Sequence, residues 1–329
     1  MFKRKTIISP ANIAFVKYWG RRDHNLILPL NSSVSMNMDS CTTTTSCQWG
    51  EYENDSIKVK FENKESVELT GVPREKVVKI IERIRQRLGL KQNIKIVSEN
   101  NFPEATGIAS SASGFSALTK ALYESAGENL SEKEMTIETR LSGSGSACRS
   151  ISTGFVVWDK GDKDDGSDSF AYSIAEPDHW ALSDIVCVVD IGNKKISSAE
   201  GHSRAKNLYM DARLIGIEER VKETIKAIKE KDIEKLGFIT EIETLSLHTV
   251  CMMSEPPIFY WNDKTFLVME AVRELRARGV MAYYTMDAGA NVHVITEQMH
   301  EKIVIDYLKN IPGVVKMIVA HPGEGTRVV

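Results

Sequence analysis

Phe102-Pro103-Glu104-Ala105-Thr106-Gly107-Ile108-Ala109-Ser110-Ser111-Ala112-Ser113-Gly114 runs straight into Phe115-Ser116-Ala117-Leu118-Thr119-Lys120-Ala121-Leu122. The second part repeats its apolar residues at helical spacing. Between Gly107 and Gly114 the chain carries almost no side-chain bulk. A small-residue loop that opens a helix presents unpaired backbone N–H groups and the positive end of the helix dipole, a receptacle for phosphate. The hydroxyls of Ser110, Ser111 and Ser113 add contacts to phosphate oxygens or to a magnesium ion. The alternative is a close-packed helix start, with small residues only so that two backbones can approach. On this segment alone both readings stand. No Gly-Lys-Ser/Thr follows as in a Walker loop, and the dinucleotide spacing G-x-G-x-x-G is absent. A nucleotide site here belongs to another fold.

Further along, Ser142-Gly143-Ser144-Gly145-Ser146-Ala147-Cys148-Arg149-Ser150 is a second Gly/Ser run, with one arginine inside it. Two such loops point to two anionic groups held close together, a phosphoryl donor and a phosphorylated acceptor. The plain alternative is a flexible linker, against which an arginine set among small residues argues. Upstream, residues 11–23 are apolar but carry Lys17, Tyr18, Trp19 and the pair Arg21-Arg22. Either Lys17 snorkels to water from a core strand, or Lys17, Tyr18 and Arg21 converge on an anionic substrate. Asp287, beside Gly289, is either a turn residue or a buried catalytic carboxylate.

Composition narrows the class. The 329 residues are 42% hydrophobic and 26% charged with a net charge of -3, an ordinary globular composition with room for two domains. That balance gives no basis for a nucleic-acid partner. No stretch has the apolar length of a membrane span, and the basic N-terminus leads into too short an apolar run for a signal peptide, so a cytoplasmic protein is expected. The five cysteines are scattered without a C-x-x-C pair, which predicts reduced thiols rather than zinc or disulfides.

Periodicity predicts a strand over 5–9 ended by Pro10, strands over 31–38, 41–49, 57–61 and 67–70, and an amphipathic helix over 74–88. A strand over 94–97 delivers the chain to the opening loop. After the Phe115 helix come a helix over 132–141 capped by Ser131 and a strand over 155–158. A strand over 185–190 begins the second half. Helices over 204–229, 233–248 and 264–278, strands over 281–286 and 292–295, a helix over 299–309 and a strand over 314–320 follow.

Taken together, Asn12-Ile13-Ala14-Phe15-Val16-Lys17-Tyr18-Trp19-Gly20, Leu28-Pro29-Leu30-Asn31-Ser32-Ser33-Val34-Ser35, the Gly107 to Gly114 run, Ser144-Gly145-Ser146-Ala147-Cys148-Arg149-Ser150 and Met286-Asp287-Ala288-Gly289-Ala290-Asn291 carry a resemblance. In kind and in order they resemble the mevalonate diphosphate decarboxylases, a branch of the GHMP kinase superfamily. The resemblance spans essentially the whole chain. It implies an α+β protein: an N-terminal ATP-binding domain like ribosomal protein S5 domain 2 over 1–180, a ferredoxin-like α/β domain over 181–329, and an active site in the cleft between them. It also implies a homodimer. The implied reaction uses ATP and magnesium to phosphorylate the tertiary 3-hydroxyl of a 5-phosphorylated mevalonate. Loss of that phosphate with CO2 then leaves an alkene, a step of isoprenoid biosynthesis.

The resemblance also implies roles. Asp287 matches the carboxylate that orients or deprotonates the 3-hydroxyl. Lys17 matches the lysine that offsets charge between Asp287 and the transferred phosphoryl. Arg149 matches the arginine whose planar fork holds the departing carboxylate. Gly107, Ala109, Ser110, Ser111, Ala112 and Ser113 fall in the ATP loop, Ser110 also at the magnesium ion. Tyr18, Arg21, Ser144, Gly145, Ser146, Arg149 and His202 fall around the substrate. Many relatives carry lysine at Arg21, several methionine at His202 and proline at Ala290. These departures alter the 5-phosphate pocket and tilt the expectation toward mevalonate 5-phosphate, giving isopentenyl phosphate, with mevalonate 5-diphosphate as the alternative. A mevalonate 3-kinase and a non-catalytic sensor are disfavoured by the intact Asp287, Lys17 and Arg149. The intact loop disfavours an ATP-independent decarboxylase of bisphosphomevalonate.

Overall fold

The computed structural model describes residues 2–60, 65–102, 110–192 and 196–329, the side chain of Ser110 excepted. Gly107 and Ala109, expected in the ATP loop, lie outside the described residues. The chain opens with β1 (Lys5–Val16), a short hairpin of β2 (Arg21–Asp23) and β3 (Leu28–Pro29), and the 18-residue β4 (Ser33–Gly50). Pro10 does not end the first strand. It lies opposite Thr42 where the register breaks, and the next residue, Ala11, lies opposite Met38. A proline is tolerated at such an irregularity because no ladder bond is asked of it. The same break lies between the two strands expected over 31–38 and 41–49, which are one strand.

Next come β5 (Ser56–Lys60), β6 (Val67–Glu68), α1 (Gly71–Leu88) and β7 (Asn93–Asn100). After them follow α2 (Ser110–Ala126), α3 (Glu132–Arg140), β8 (Phe155–Trp158) and β9 (Ala171–Ala175). α1 buries Ile80, Ile81 and Ile84, and α3 starts at Ser131 in a capping box with Glu134. α2 begins at Ser110, five residues ahead of the apolar repeat that marks it in the sequence. Ala and Ser fit a helix, and the one interior glycine, Gly114, costs about 1 kcal/mol relative to alanine, which packing on β1 and β4 offsets. Ser116 bonds Ser9 at 2.6 Å and Ser113 accepts from Thr43 at 2.7 Å.

The second half holds β10 (Leu182–Val188), α4 (Ser198–Ser203), α5 (Leu208–Leu214), α6 (Ile217–Glu230), α7 (Ile233–Met252) and α8 (Asp263–Ala277). It closes with β11 (Ala282–Thr285), β12 (Val292–Glu297), α9 (Glu301–Leu308), β13 (Lys316–Ala320) and β14 (Arg327–Val328). The helix expected over 204–229 is divided: α5 stops, and Gly216 at φ 70° turns the chain into α6.

Two sheets result. The larger has the order β14-β1-β4-β7-β5-β6, with β8 and β9 continuing from β4, and the smaller runs β11-β12-β10-β13. Strand alternation gives the small sheet two buried faces. Ile185, Cys187, Tyr284 and Val294 pack under α8 and α9. Val186, Tyr283 and Ile295 face the other way, into one core with Ile13, Phe15 and Met36 of the large sheet and Leu236 and Ile239 of α7. All five cysteines are free and buried, and no described helix is long and apolar enough to cross a membrane.

Candidate active site

A cleft of about 760 Å³ opens where the end of β1, residues 141–146, α4 and the β11–β12 connection meet. β1 is buried along most of its length and delivers Lys17 just past its last residue. The Lys17 side chain is 2% exposed, so it does not snorkel to water. Its Nζ lies 2.8 Å from Asp287 Oδ1, whose side chain is 29% exposed toward the cleft. Burial pushes the Lys17 ammonium's pKa down, with Asp287 opposing and Arg149 adding to the fall. Burial works against the Asp287 carboxylate's charge, but Lys17, His293 and Arg149 outweigh it and hold its pKa below the usual value.

Arg149 arrives on a 3-10 turn, Gly145–Ser150, and is 3% exposed. Its Nε and Nη2 donate to Asn12 Oδ1 at 3.3 and 3.1 Å, Nε also to Ser35 Oγ at 3.0 Å, and Nη1 to Ser33 Oγ at 2.7 Å. Every one of these partners is neutral. Burial lowers its pKa, and Asp287 is among the groups that resist the fall. A buried guanidinium oriented by hydroxyls and an amide retains its charge for an incoming anion.

Around this centre stand the other expected residues. Tyr18 Oη accepts from Arg21 Nε at 2.7 Å, and burial raises the phenol's pKa against the pull of Arg21. His202 lies between Tyr18 and Trp19, with ring centroids 4.3 and 4.5 Å away. Its Nδ1 accepts the Gly20 N–H at 3.0 Å, which leaves the ring proton on Nε2. Burial, aided by Arg21 and His24, lowers its pKa well below the usual value, so the ring is neutral. Ser111 Oγ lies 3.4 Å from Ser144 Oγ, which lies 3.2 Å from Ser146 Oγ, so the two small-residue loops meet. Gly145 has a packing reason as well: a Cβ there would stand 2.6 Å from the Trp158 ring and 2.9 Å from that of Tyr18.

The cleft thus gathers Lys17, Tyr18, Arg21, Ser111, Ser144, Gly145, Ser146, Arg149, His202 and Asp287. Ala112 and Ser113 do not join them. Both are wholly buried, and the Ser113 hydroxyl faces Thr43 of β4 because the early start of α2 turns it to the helix's inner side. The sequence reading missed Asn12, Ser33 and Ser35 as the clamp on Arg149. Alternation through 31–38 puts Ser33 and Ser35 on one strand face, which is the signal that was there to use. It also missed Lys76 and Lys79 of α1, which line the cleft.

Comparisons with known proteins identify the family. A model of the diphosphomevalonate decarboxylase-like N-terminal domain matches residues 9–171, and one of the mevalonate 5-diphosphate decarboxylase C-terminal domain matches residues 184–322. The diphosphomevalonate decarboxylase of Candida albicans is 36% identical over 323 residues, covering 92% of this chain and 87% of its own. The solved mevalonate diphosphate decarboxylase from Staphylococcus aureus is 32% identical with a TM-score of 0.91, covering 100% of this chain and 98% of its own. A complex of MDDEF with MVAPP, AMPPCP and magnesium is 32% identical with a TM-score of 0.90, covering 100% and 99%. Two family models laid end to end over nearly the whole chain, on the GHMP kinase fold, leave one conclusion: the chain belongs to the diphosphomevalonate decarboxylase family.

Proposed function

We propose that this enzyme converts mevalonate 5-diphosphate and ATP to isopentenyl diphosphate, ADP, phosphate and CO2. The observation that carries the reading is the Lys17–Asp287 pair at 2.8 Å in one cleft with Arg149, a buried cation whose partners are all neutral. Asp287, kept ionised by its neighbours, takes or orients the proton of the 3-hydroxyl as that oxygen attacks the γ-phosphoryl of ATP. Lys17 offsets the negative charge that accumulates between carboxylate and phosphoryl. Arg149 holds the substrate carboxylate. The C–CO2 bond then breaks, its electron pair forms the alkene, and the C–O pair leaves with phosphate.

Ser111, with Gly107, Ala109 and Ser110, serves the nucleotide at the N-terminus of α2. Tyr18, Arg21, Ser144, Gly145, Ser146 and the neutral His202 serve the 5-substituent. Among the described residues no cluster of three or more His, Cys, Asp or Glu is built for a metal. That fits magnesium, which keeps few protein ligands and sits mostly on phosphate oxygens, with Ser110 as its proposed contact. Bound there, it would neutralise charge on the nucleotide's phosphates. Residues 1–180 and 181–329 are the proposed domains. A homodimer is proposed as well, supported by an apolar stripe on the outer side of α7, where Phe238 and Leu245 are 64% and 41% exposed.

The diphosphate replaces the monophosphate favoured by the sequence. The curated relatives are named as diphosphomevalonate decarboxylases, among them that of Candida albicans, and one matched structure contains MVAPP. The test is ADP and CO2 release with mevalonate 5-diphosphate and 5-phosphate in parallel, with and without ATP. Equal release of both products from the diphosphate, dependent on ATP, is the expected result. Preference for the monophosphate overturns the substrate, and ADP without CO2 overturns the decarboxylase.

A further inference from the structure

The peptide of Lys17 is gripped on both sides by charged groups from the second half of the chain. Its N–H donates to Glu243 Oε2 at 3.3 Å, and its C=O accepts from Arg213 Nη2 at 2.9 Å and from Asn31 Nδ2 at 3.0 Å. Arg213 Nη2 also donates to Glu243 Oε2 at 2.8 Å, and Arg220 Nε to Oε1 at 2.7 Å. The side chains of Arg213 and Glu243 are both wholly buried. The next residue of α7, Thr244, turns to the other partner. Its Oγ1 lies 2.9 Å from Thr285 Oγ1 and accepts the N–H of Met286 at 3.4 Å, at the strand end that carries Asp287.

Two consecutive residues of one helix therefore hold the backbones on either side of the Lys17–Asp287 contact. Neither Glu243, Arg213 nor Thr244 lines the cleft. From this juxtaposition we propose that Glu243 and Thr244 of α7, with Arg213 of α5, are positioning residues, a brace that fixes the distance between the Lys17 ammonium and the Asp287 carboxylate. Arg213 and Arg220 keep Glu243 ionised against its burial, so the brace persists at neutral pH. The proposal rests on Lys17 and Asp287 being the reacting pair.

The test is Glu243→Gln in the full chain, alone and with Lys17→Met. The amide keeps the shape and one acceptor but loses the charge that fastens both arginines. A misplaced pair lowers kcat about 10- to 100-fold, with KM for both substrates held within about twofold because no binding group is touched. Asp287 is faced by Lys17 from β1, Arg149 from the Gly145–Ser150 turn, His293 from β12 and His248 from α7. Of these, the variant displaces Lys17. Asp287 then loses part of the cation that depresses its pKa, and the acid limb of the kcat profile moves to higher pH.

Lys17→Met with Glu243→Gln is expected to be no slower than Lys17→Met alone. A fall in kcat with the acid limb unmoved, or a further loss in the double variant, overturns the brace. Full turnover in Lys17→Met instead removes Lys17 from the chemistry, a separate failure. Should Glu243→Gln not fold, Arg213→Lys, which keeps the charge but gives up the planar fork, takes the same measurements with the same expected results.

Discussion

Arg149 and Arg213 are buried to the same depth, 3% exposed each, and are accommodated in opposite ways. Arg213 meets the carboxylate of Glu243 at 2.8 Å, and its remaining contacts are with the Lys17 carbonyl and Ser246. Among the described residues Arg149 hydrogen-bonds Asn12, Ser33 and Ser35, all neutral. The first arrangement meets the buried charge with a carboxylate inside the protein, so it holds structure together. The second orients a charge without cancelling it. Desolvating a cation so is costly, and the arrangement is useful only when an anion arrives.

The contrast can be broken by mutation. Glu243→Leu leaves the Arg213 guanidinium buried without its carboxylate, and a loss of about 3–5 kcal/mol is expected from urea unfolding. Stability equal to the parent chain would mean that Arg213 is satisfied by neutral groups after all, as Arg149 is. Arg149→Met removes a cation whose named hydrogen-bond partners are neutral and which Asp287 touches only through its field. Turnover is expected to fall about 10²- to 10³-fold while the unfolding midpoint holds or rises. A midpoint that drops as far as in Glu243→Leu would put the two arginines in one class.

Acid sharpens the same contrast. Burial works against the Glu243 charge, but Arg213 and Arg220 prevail and its folded pKa lies below the usual value. The stability from that shift is present above the unfolded pKa of about 4.3 and is lost as pH falls through the folded pKa. Urea midpoints measured downward from pH 5 should therefore fall more steeply in the parent chain than in Glu243→Leu. Arg149→Met should flatten the slope less, because Lys17 and His293 still hold the Asp287 carboxylate's pKa down. Identical slopes in parent and Glu243→Leu would show that the carboxylate titrates as it does unfolded.

The difference between the two arginines also explains what could be read in advance. Arg149 stands in a run of glycines and serines, and Lys17 and Asp287 stand in short motifs of their own, so local sequence marked each one. Most strands and helices were legible from period alone. The inward turn of Ser113 was not legible because the helix was expected to start at Phe115; starting at Ser110 puts Ser113 on one inner face with Ser116 and Ala117. Pro10 was misread because the register break that admits it is made by β4, some thirty residues on. The brace was invisible for the same reason. Glu243 and Lys17 are 226 positions apart, and a glutamate on the apolar side of a helix says that a partner exists without saying which.

The core shared by Ile13, Phe15 and Met36 of one sheet with Val186 and Ile295 of the other has a consequence of its own. Each half also has a core of its own, with Ile81 and Leu122 in the first and Val272 and Leu275 in the second, but this one belongs to both. A cut near residue 180 would open apolar surface on both fragments. Although the family models meet the chain in two pieces, neither piece can part from the other without uncovering apolar surface on both.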